Sequence, residues 1–463
     1  MTYEPTEPGP GSARELVPQQ PARELVPQPG APAREWVDYD LAARRTHYWS
    51  ALSGTAPALP PAPAEALCHG DGRVREAALR RAVPGALLPL VVLRCADWAE
   101  PVRDAARAVL AAASDESLVA AADTVLGTSA RRYGGFALEL LETRLAGGRL
   151  ALWRRMFSDT SRRVRRWAYR RAADTGRLTA AEFAEAACRD TDVIVQETCA
   201  SAALASDPLP ETVHDRLLTS RSPRVRAAAV TALRRSGRQC RAVPLLADRT
   251  AAVRACAQWA VRTAGGEPAP YYRAALTHAA EAPPGAVAGL GECGVAADAA
   301  LLGPLLGDPR SGVRAAAAGA LDRLGAADPA RLSEMLDDPS PAVVRRVAAA
   351  LEPDAHTLPA GELLARLAPG HPAHVRRAAL RLVQAGRPEL EQLRAALPLV
   401  DDEDAALRGA ARMLTARWSP PDAAKLCAAL PPSERALLSA ELDRASLSLH
   451  PGTVRMLRLM LRL

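Results

Sequence analysis

Asp308-Pro-Arg-Ser-Gly-Val313-Arg314-Ala-Ala-Ala-Ala-Gly-Ala-Leu321 is the stretch that decides the fold. An acidic, proline-containing turn leads into Val-Arg, then into a run of alanines that closes on leucine. Alanine is the best intrinsic helix former, and an acid just ahead of a helix meets the positive end of its dipole. The phrase returns as Asp71-Gly-Arg-Val74-Arg75-Glu-Ala-Ala-Leu79 and as Pro223-Arg-Val225-Arg226-Ala-Ala-Ala-Val230. Weaker copies read Arg163-Val164-Arg165-Arg-Trp167-Ala168 and Ala252-Val253-Arg254-Ala-Cys256-Ala257. Marked by the apolar residue ahead of the arginine, the series runs 74, 102, 164, 195, 225, 253, 313, 344, 375, 407. Two gaps, after 102 and after 253, are double steps. They hold degenerate copies near Tyr133-Gly-Gly-Phe136 and Pro284-Gly-Ala-Val287. About twelve units therefore fall between residues 60 and 420, the mark of a solenoid whose repeats share one elongated core.

Each unit reads as two helices. Residues 329–336 form a short first helix, Asp337-Asp338-Pro339-Ser340 breaks it, and Pro341 opens the second where its missing N–H costs nothing. Val344, Val347, Ala348 and Leu351 then share one helical face. No stretch alternates with a β period, so the expectation is an all-α superhelix of about twelve helix pairs, on the order of 100 Å long.

The Asp-Pro turn followed by Val-Arg-x-x-Ala-Ala-x-Ala-Leu resembles the HEAT repeat, in the short bacterial form called the phycobilisome-lyase HEAT-like repeat. The resemblance spans about residues 65–415. It implies a HEAT-like solenoid in which the Val-Arg arginines (75, 103, 165, 226, 254, 314, 345, 376, 408) pair with aspartates of successive turns. A row of phosphate-binding cations is the functional alternative for the same nine side chains. HEAT-repeat hydroxylases hold iron through His-Glu dipeptides, and none of the eight histidines here precedes a glutamate. No family catalytic residue maps onto a position of this sequence.

Four segments follow from composition. Residues 1–35 are rich in Pro, Gly and Gln, repeat Arg14-Glu-Leu-Val-Pro-Gln19 as Arg23-Glu-Leu-Val-Pro-Gln28, and are expected to be a disordered tail. The repeated motif serves as a tether or as a multivalent docking signal. Residues 36–64 read as a capping helix over the first repeat, with Trp36, Tyr39, Leu41, Tyr48, Trp49 and Leu52 as its stripe, plus a linker. Residues 65–420 are the solenoid, and residues 421–463 are C-terminal capping helices. The last of these is basic and amphipathic, with Arg455, Arg458 and Arg462.

Net charge is +7 and Lys425 is the only lysine. Residues 1–40 carry seven acids against three arginines, −4, which leaves +11 on the remainder. Eight scattered cysteines without a C-x-x-C pair fit a reducing compartment, and no apolar run is long enough to span a bilayer. A cytoplasmic chain with no membrane span is expected. No glycine-rich phosphate loop, nucleophile elbow or metal-ligand constellation is present, so neither an enzyme nor a cofactor is expected.

The densest chemistry lies between Arg149 and Arg171, where nine arginines face one acid, Asp159, with Trp153, Phe157, Trp167 and Tyr169 among them. Arg154, Arg155, Arg162, Arg163, Arg166, Tyr169 and Arg170 are the candidates there. Cations that track phosphates beside aromatics that stack on bases would bind nucleic acid; a solvated helix face docking an acidic partner is the competing reading. Small residues (Ala227, Ala228, Ala255, Ala315, Gly319) are expected to form a trough, with Trp259 beside it and Arg166, Arg346, Arg377 and Arg381 as basic shoulders. Such a trough suits a helix or extended segment of another protein. A protein-binding scaffold is the leading expectation, and a nucleic-acid-binding or DNA-repair solenoid is the alternative.

Overall fold

A computed structural model describes residues 26–52, 60–147, 150–235, 237–278 and 282–463, with side chains omitted from 49 to 52. The first Arg-Glu-Leu-Val-Pro-Gln copy, the first half of the second and most of the linker lie outside the described residues. Among the described residues every regular element is helical. The chain divides into two compact units, one up to Val213 and one from His214 onward.

Twelve second helices follow the repeated phrase: Gly72–Leu79, Glu100–Ala111, Gly135–Ala146, Arg162–Thr175, Val193–Leu204, Pro223–Leu233, Ala251–Thr263, Pro284–Cys293, Ser311–Arg323, Pro341–Leu351, Ala373–Gly386 and Ala405–Arg417. Each is preceded by another helix or a 3₁₀ turn, shorter in every pair but the eighth. In the first unit Gly72–Leu79 packs on Glu100–Ala111, and Arg162–Thr175 packs on Val193–Leu204. In the second unit each second helix from Pro223–Leu233 to Ala405–Arg417 packs on the next. This is the helix-pair stacking expected of a HEAT-like α-solenoid.

One motif explains why the phrase recurs. Asp248 Oδ1 accepts the Thr250 N–H at 2.8 Å, which opens the following helix. The same carboxylate receives Arg226 of the preceding pair through Nε and Nη2, both at 2.8 Å. The Asp248 carbonyl accepts Nη1 of Arg254, six residues on, at 2.7 Å, and Arg254 reaches forward to Glu292. Equivalent rungs join Arg75 to Asp97, Arg165 to Asp190, Arg314 to Asp338 and Arg376 to Asp402. Each rung arginine is therefore a bidentate link between neighbouring pairs, tied back to its own turn.

Arg345 departs from the expected row. Counting six residues from the turn aspartate Asp338 lands on Val344, which is buried, while Arg345 is exposed. The marker in this pair is thus Val343, and two adjacent valines made the register ambiguous. The Asp338 carbonyl that a rung arginine would have met receives His374 Nε2 from the next pair at 3.1 Å. Arg103 meets no acid in the turn of the next pair; its guanidinium lies 4.3 Å from the Tyr133 ring, and its Nη1 donates to the carbonyl of its own turn residue Asp97.

The N-terminal helix, Ala33–Leu52, touches the turn of the first pair, where the His47 and His69 rings lie 4.2 Å apart. It lies against Leu88–Arg94 and Ala122–Thr128, the first helices of the second and third pairs. Trp36 and Tyr39 are buried there, Asp40 pairs with Arg94, and Leu41 and Tyr48 remain exposed. At the other end Pro451–Leu461 packs on Ala423–Ala428 through its buried face of Val454, Leu457 and Leu461.

The degenerate eighth repeat has a packing reason for its glycines. A Cβ at Gly291 would stand 2.4 Å from Ala320 Cα, and one at Gly285 would stand 2.0 Å from the Ala247 carbonyl oxygen. Backbone meets backbone at both places, so neither contact can yield by a rotamer change. Gly291→Ala is expected to destabilise the second unit by about 1–3 kcal/mol, read as a lowered urea midpoint. An unchanged midpoint would show that Pro284–Cys293 is not held against Ser311–Arg323.

Candidate binding face on the second helices

Arg162–Thr175 builds the centre of the basic cluster. Its buried side is Val164, Ala168, Tyr169 and Ala172, so its arginines are displaced to the other faces. Arg165 is a rung. Arg166 makes a second row of links, with Nε and Nη2 at 2.8 and 2.7 Å from the two oxygens of Asp192. Asp192 caps the next helix by accepting the Ile194 and Val195 N–H groups, both at 3.1 Å. The Arg166 bond, with these N–H groups, holds the Asp192 carboxyl down to about 2. Arg377 stands in the same relation to the cap residue Asp404, at 3.9 Å.

Arg163 lies 3.6 Å from Asp123 and Arg171 lies 3.5 Å from Glu142. Among the described residues Arg154, Arg155, Arg162 and Arg170 are exposed and have no ion-pair partner. Arg149 is outside the described residues.

The aromatic half of the cluster faces inward. Trp153 is buried, donates Nε1–H to the Leu145 carbonyl at 3.2 Å, and stacks on half-buried Trp167 with centroids 6.4 Å apart. Tyr169 is 9% exposed and stacked on Phe157 at 4.5 Å, and burial pushes its hydroxyl up to about 12. Tyr169 therefore leaves the set of surface candidates, for it belongs to the core of the fourth pair.

In the second unit Trp259 is exposed and Arg234 covers part of its ring, 5.4 Å from the centroid. Ala255, one turn earlier on the same helix, is exposed as well. Gly319 is not an open trough position: it is buried, and the Arg346 stem lies over it, with Cδ 2.8 Å from where a Cβ would stand. Arg346 itself is exposed, and Arg381 pairs with Glu352. His371 sits 3.9 Å from Asp337, and among the described residues no group of three or more His, Cys, Asp or Glu could hold a metal. Among the described residues no helix is long and apolar enough to cross a membrane.

A feature that sequence reasoning missed lies near the N-terminus. A groove of about 590 Å³ opens between Gly72–Leu79 and Glu100–Ala111, rimmed by Glu76, Glu100 and Asp104. The signal was present in the register, since Glu76 and Asp104 stand two residues after their markers, as Arg166 does after Val164.

An all-α chain of stacked helix pairs, bound by arginine rungs and open on its second-helix face, is a helical-repeat protein. Residues 281–352 match the family model for HEAT repeats. No curated protein matches the chain. Among solved structures, a Kap121p mutant aligns over 92% of this chain and 50% of its own at 13% identity, with a TM-score of 0.27. The chain thus spans about half the length of that protein. An engineered protein aligns over 86% of this chain and 96% of its own at 16% identity, with a TM-score of 0.17.

The Arg166–Asp192 link predicts an acid-sensitive step. Asp192 has a folded pKa of about 2, against about 3.9 for a free aspartate. Its contribution is complete above the unfolded value and disappears as pH falls through the folded one. The melting-temperature gap between wild type and Asp192→Asn should be full at pH 5 and close between about pH 4 and pH 2. A gap that persists at pH 2 would remove the carboxylate from the account.

Proposed function

We propose that this protein is a non-catalytic scaffold that binds a partner protein along the second-helix face. The observation that supports this best is how its cations divide. Rung and cap arginines are consumed in joining neighbouring pairs, whereas Arg162, Arg170 and Arg346 on second helices are exposed, as are Arg154 and Arg155 on the first helix of the fourth pair. Trp259 adds an exposed aromatic anchor on a helix whose other exposed residues, Arg262 apart, are small. Aromatic and arginine side chains dominate the binding energy of protein interfaces. Single-stranded nucleic acid would instead call for outward aromatics beside the arginines, and Trp153 and Tyr169 are buried.

Capture from the native lysate with the tagged full-length chain tests this. A stoichiometric protein partner is expected, with its retention cut roughly tenfold or more by Trp259→Ala combined with Arg346→Glu, as for loss of hot-spot anchors. Retention unaffected by both substitutions, or no protein captured, would contradict it. The nucleic-acid alternative predicts something different. Four exposed arginines on duplex phosphates would give a log–log salt slope of about −3.6, abolished by Arg162→Glu with Arg170→Glu.

A further inference from the structure

The N-terminal helix, Ala33–Leu52, passes from the third pair to the first, against chain order, and polar contacts fasten it at intervals. The Ala33 N–H donates to Asp123 of the third pair at 2.7 Å. Asp40 pairs with Arg94, and Arg44 Nη2 lies 3.6 Å from Asp97 in the turn of the second pair. Near the far end, the His47 ring stands 4.2 Å from that of His69, in the turn of the first pair, and is hydrogen-bonded to the Glu65 carbonyl.

This last contact needs neutral rings. His69 Nδ1 accepts the Asp71 N–H at 3.0 Å, and a ring nitrogen accepts only while it carries no proton. The bond shapes a turn whose carbonyls, on His69 and Gly70, receive Arg75 Nη1 at 2.7 and 3.0 Å. A proton on His69 Nδ1 sets donor against donor, and protons on both residues put two cations 4.2 Å apart.

The surrounding charges do not relieve that conflict. Arg44 comes from the same helix, Arg75 from the first pair and Arg94 from the second, and these guanidinia take up Asp40 and Asp97. Arg131 of the third pair also faces Asp40. Asp71 accepts the Arg73 N–H at 2.8 Å, and Glu65 accepts the Ala62 N–H at 3.1 Å. Burial and the His69 ring hold the His47 imidazole below its ordinary value, against the opposing pull of Glu65. With a folded value below the unfolded one, the detached helix takes up the proton more readily. The contact is therefore at full strength above about pH 6.5, the value of a free histidine, and weakens as pH falls through it.

We propose that His47 and His69 form an acid-released latch, which ties the C-terminal half of Ala33–Leu52 to the first pair at neutral pH and frees it on acidification. Beneath that half lies Cys68, fully buried and hydrogen-bonded to Asp40, so release opens the turn edge of the first two pairs. The latch uses no residue of the second-helix face and stands apart from the scaffold proposal.

Hydrogen exchange of the full-length protein, read by mass spectrometry and corrected for the chemical rate at each pH, tests it. Between about pH 7.5 and about pH 5.5, amides 42–48 should lose roughly tenfold of their protection, as for a proton bound about ten times more weakly in the latched state. Those of Pro341–Leu351 should keep theirs. His47→Gln/His69→Asn retains a donor for the Glu65 carbonyl and an acceptor for the Asp71 N–H but cannot titrate. It should stay protected at both values. His47→Lys carries a permanent charge, and at neutral pH its amides 42–48 should be as open as those of the wild type in acid. Equal wild-type protection at the two values would overturn the proposal whatever the variants do. So would a pH-dependent loss that survives in the Gln/Asn variant, or a His47→Lys helix that stays closed at neutral pH.

Discussion

A guanidinium presents donors in a fixed planar fork, and this fold depends on how that fork is used. In each complete rung one edge grips a carboxylate of the next pair, while the remaining nitrogen, Nη1 in all but Arg376, where it is Nε, holds a carbonyl of its own pair. Arg226 and Asp248 are both 8% exposed in their side chains, so the pair is largely withdrawn from solvent. Removing one partner from such a pair strands a buried charge, which makes the position intolerant of single changes. The aspartate is equally constrained, because it must also accept the N–H two residues on and so starts the helix that carries the next rung. Turn, helix start and inter-pair link are thus one unit of chemistry, repeated at the period of the sequence.

Where a rung is missing, other chemistry stands in its place. Tyr133 takes the face of Arg103, Glu292 replaces a turn acid for Arg254, and His374 serves the carbonyl left open by Val344. In the eighth pair glycines allow backbone contact in place of a charged link. The boundary between the two units follows the fifth pair, whose rung position holds Gln196 and beyond which the next turn offers Ser220.

The helix pairs were legible because a period of about thirty residues survives substitution at any single site. Within a pair the sequence was less decisive. Val343 and Val344 are both apolar, so the register there was set by Asp338 rather than by hydrophobicity, and Arg345 was misplaced by one. Tyr169 stands between arginines and looks like a surface residue, yet it lies five positions after Val164, on the side that packs on Phe157. The N-terminal helix revealed its buried residues, Trp36 and Tyr39, but not the helices that bury them. The acidic groove was missed because its residues are divided between two helices a repeat apart, and only their shared place after the markers, at Glu76 and Asp104, links them in the sequence.

Composition gave an ambiguous account of the charge. An arginine-rich chain with net charge +7 invites a nucleic-acid reading, but arginines that bond neighbouring turns contribute little outward field. A double-mutant cycle on Arg226→Ala and Asp248→Ala, followed by urea denaturation, tests this division most directly. The account predicts a coupling energy of about 2 kcal/mol or more between the two sites, as found for contacting residues in a buried network. Additive effects, with coupling near zero, would mean that the rungs do not hold the stack together.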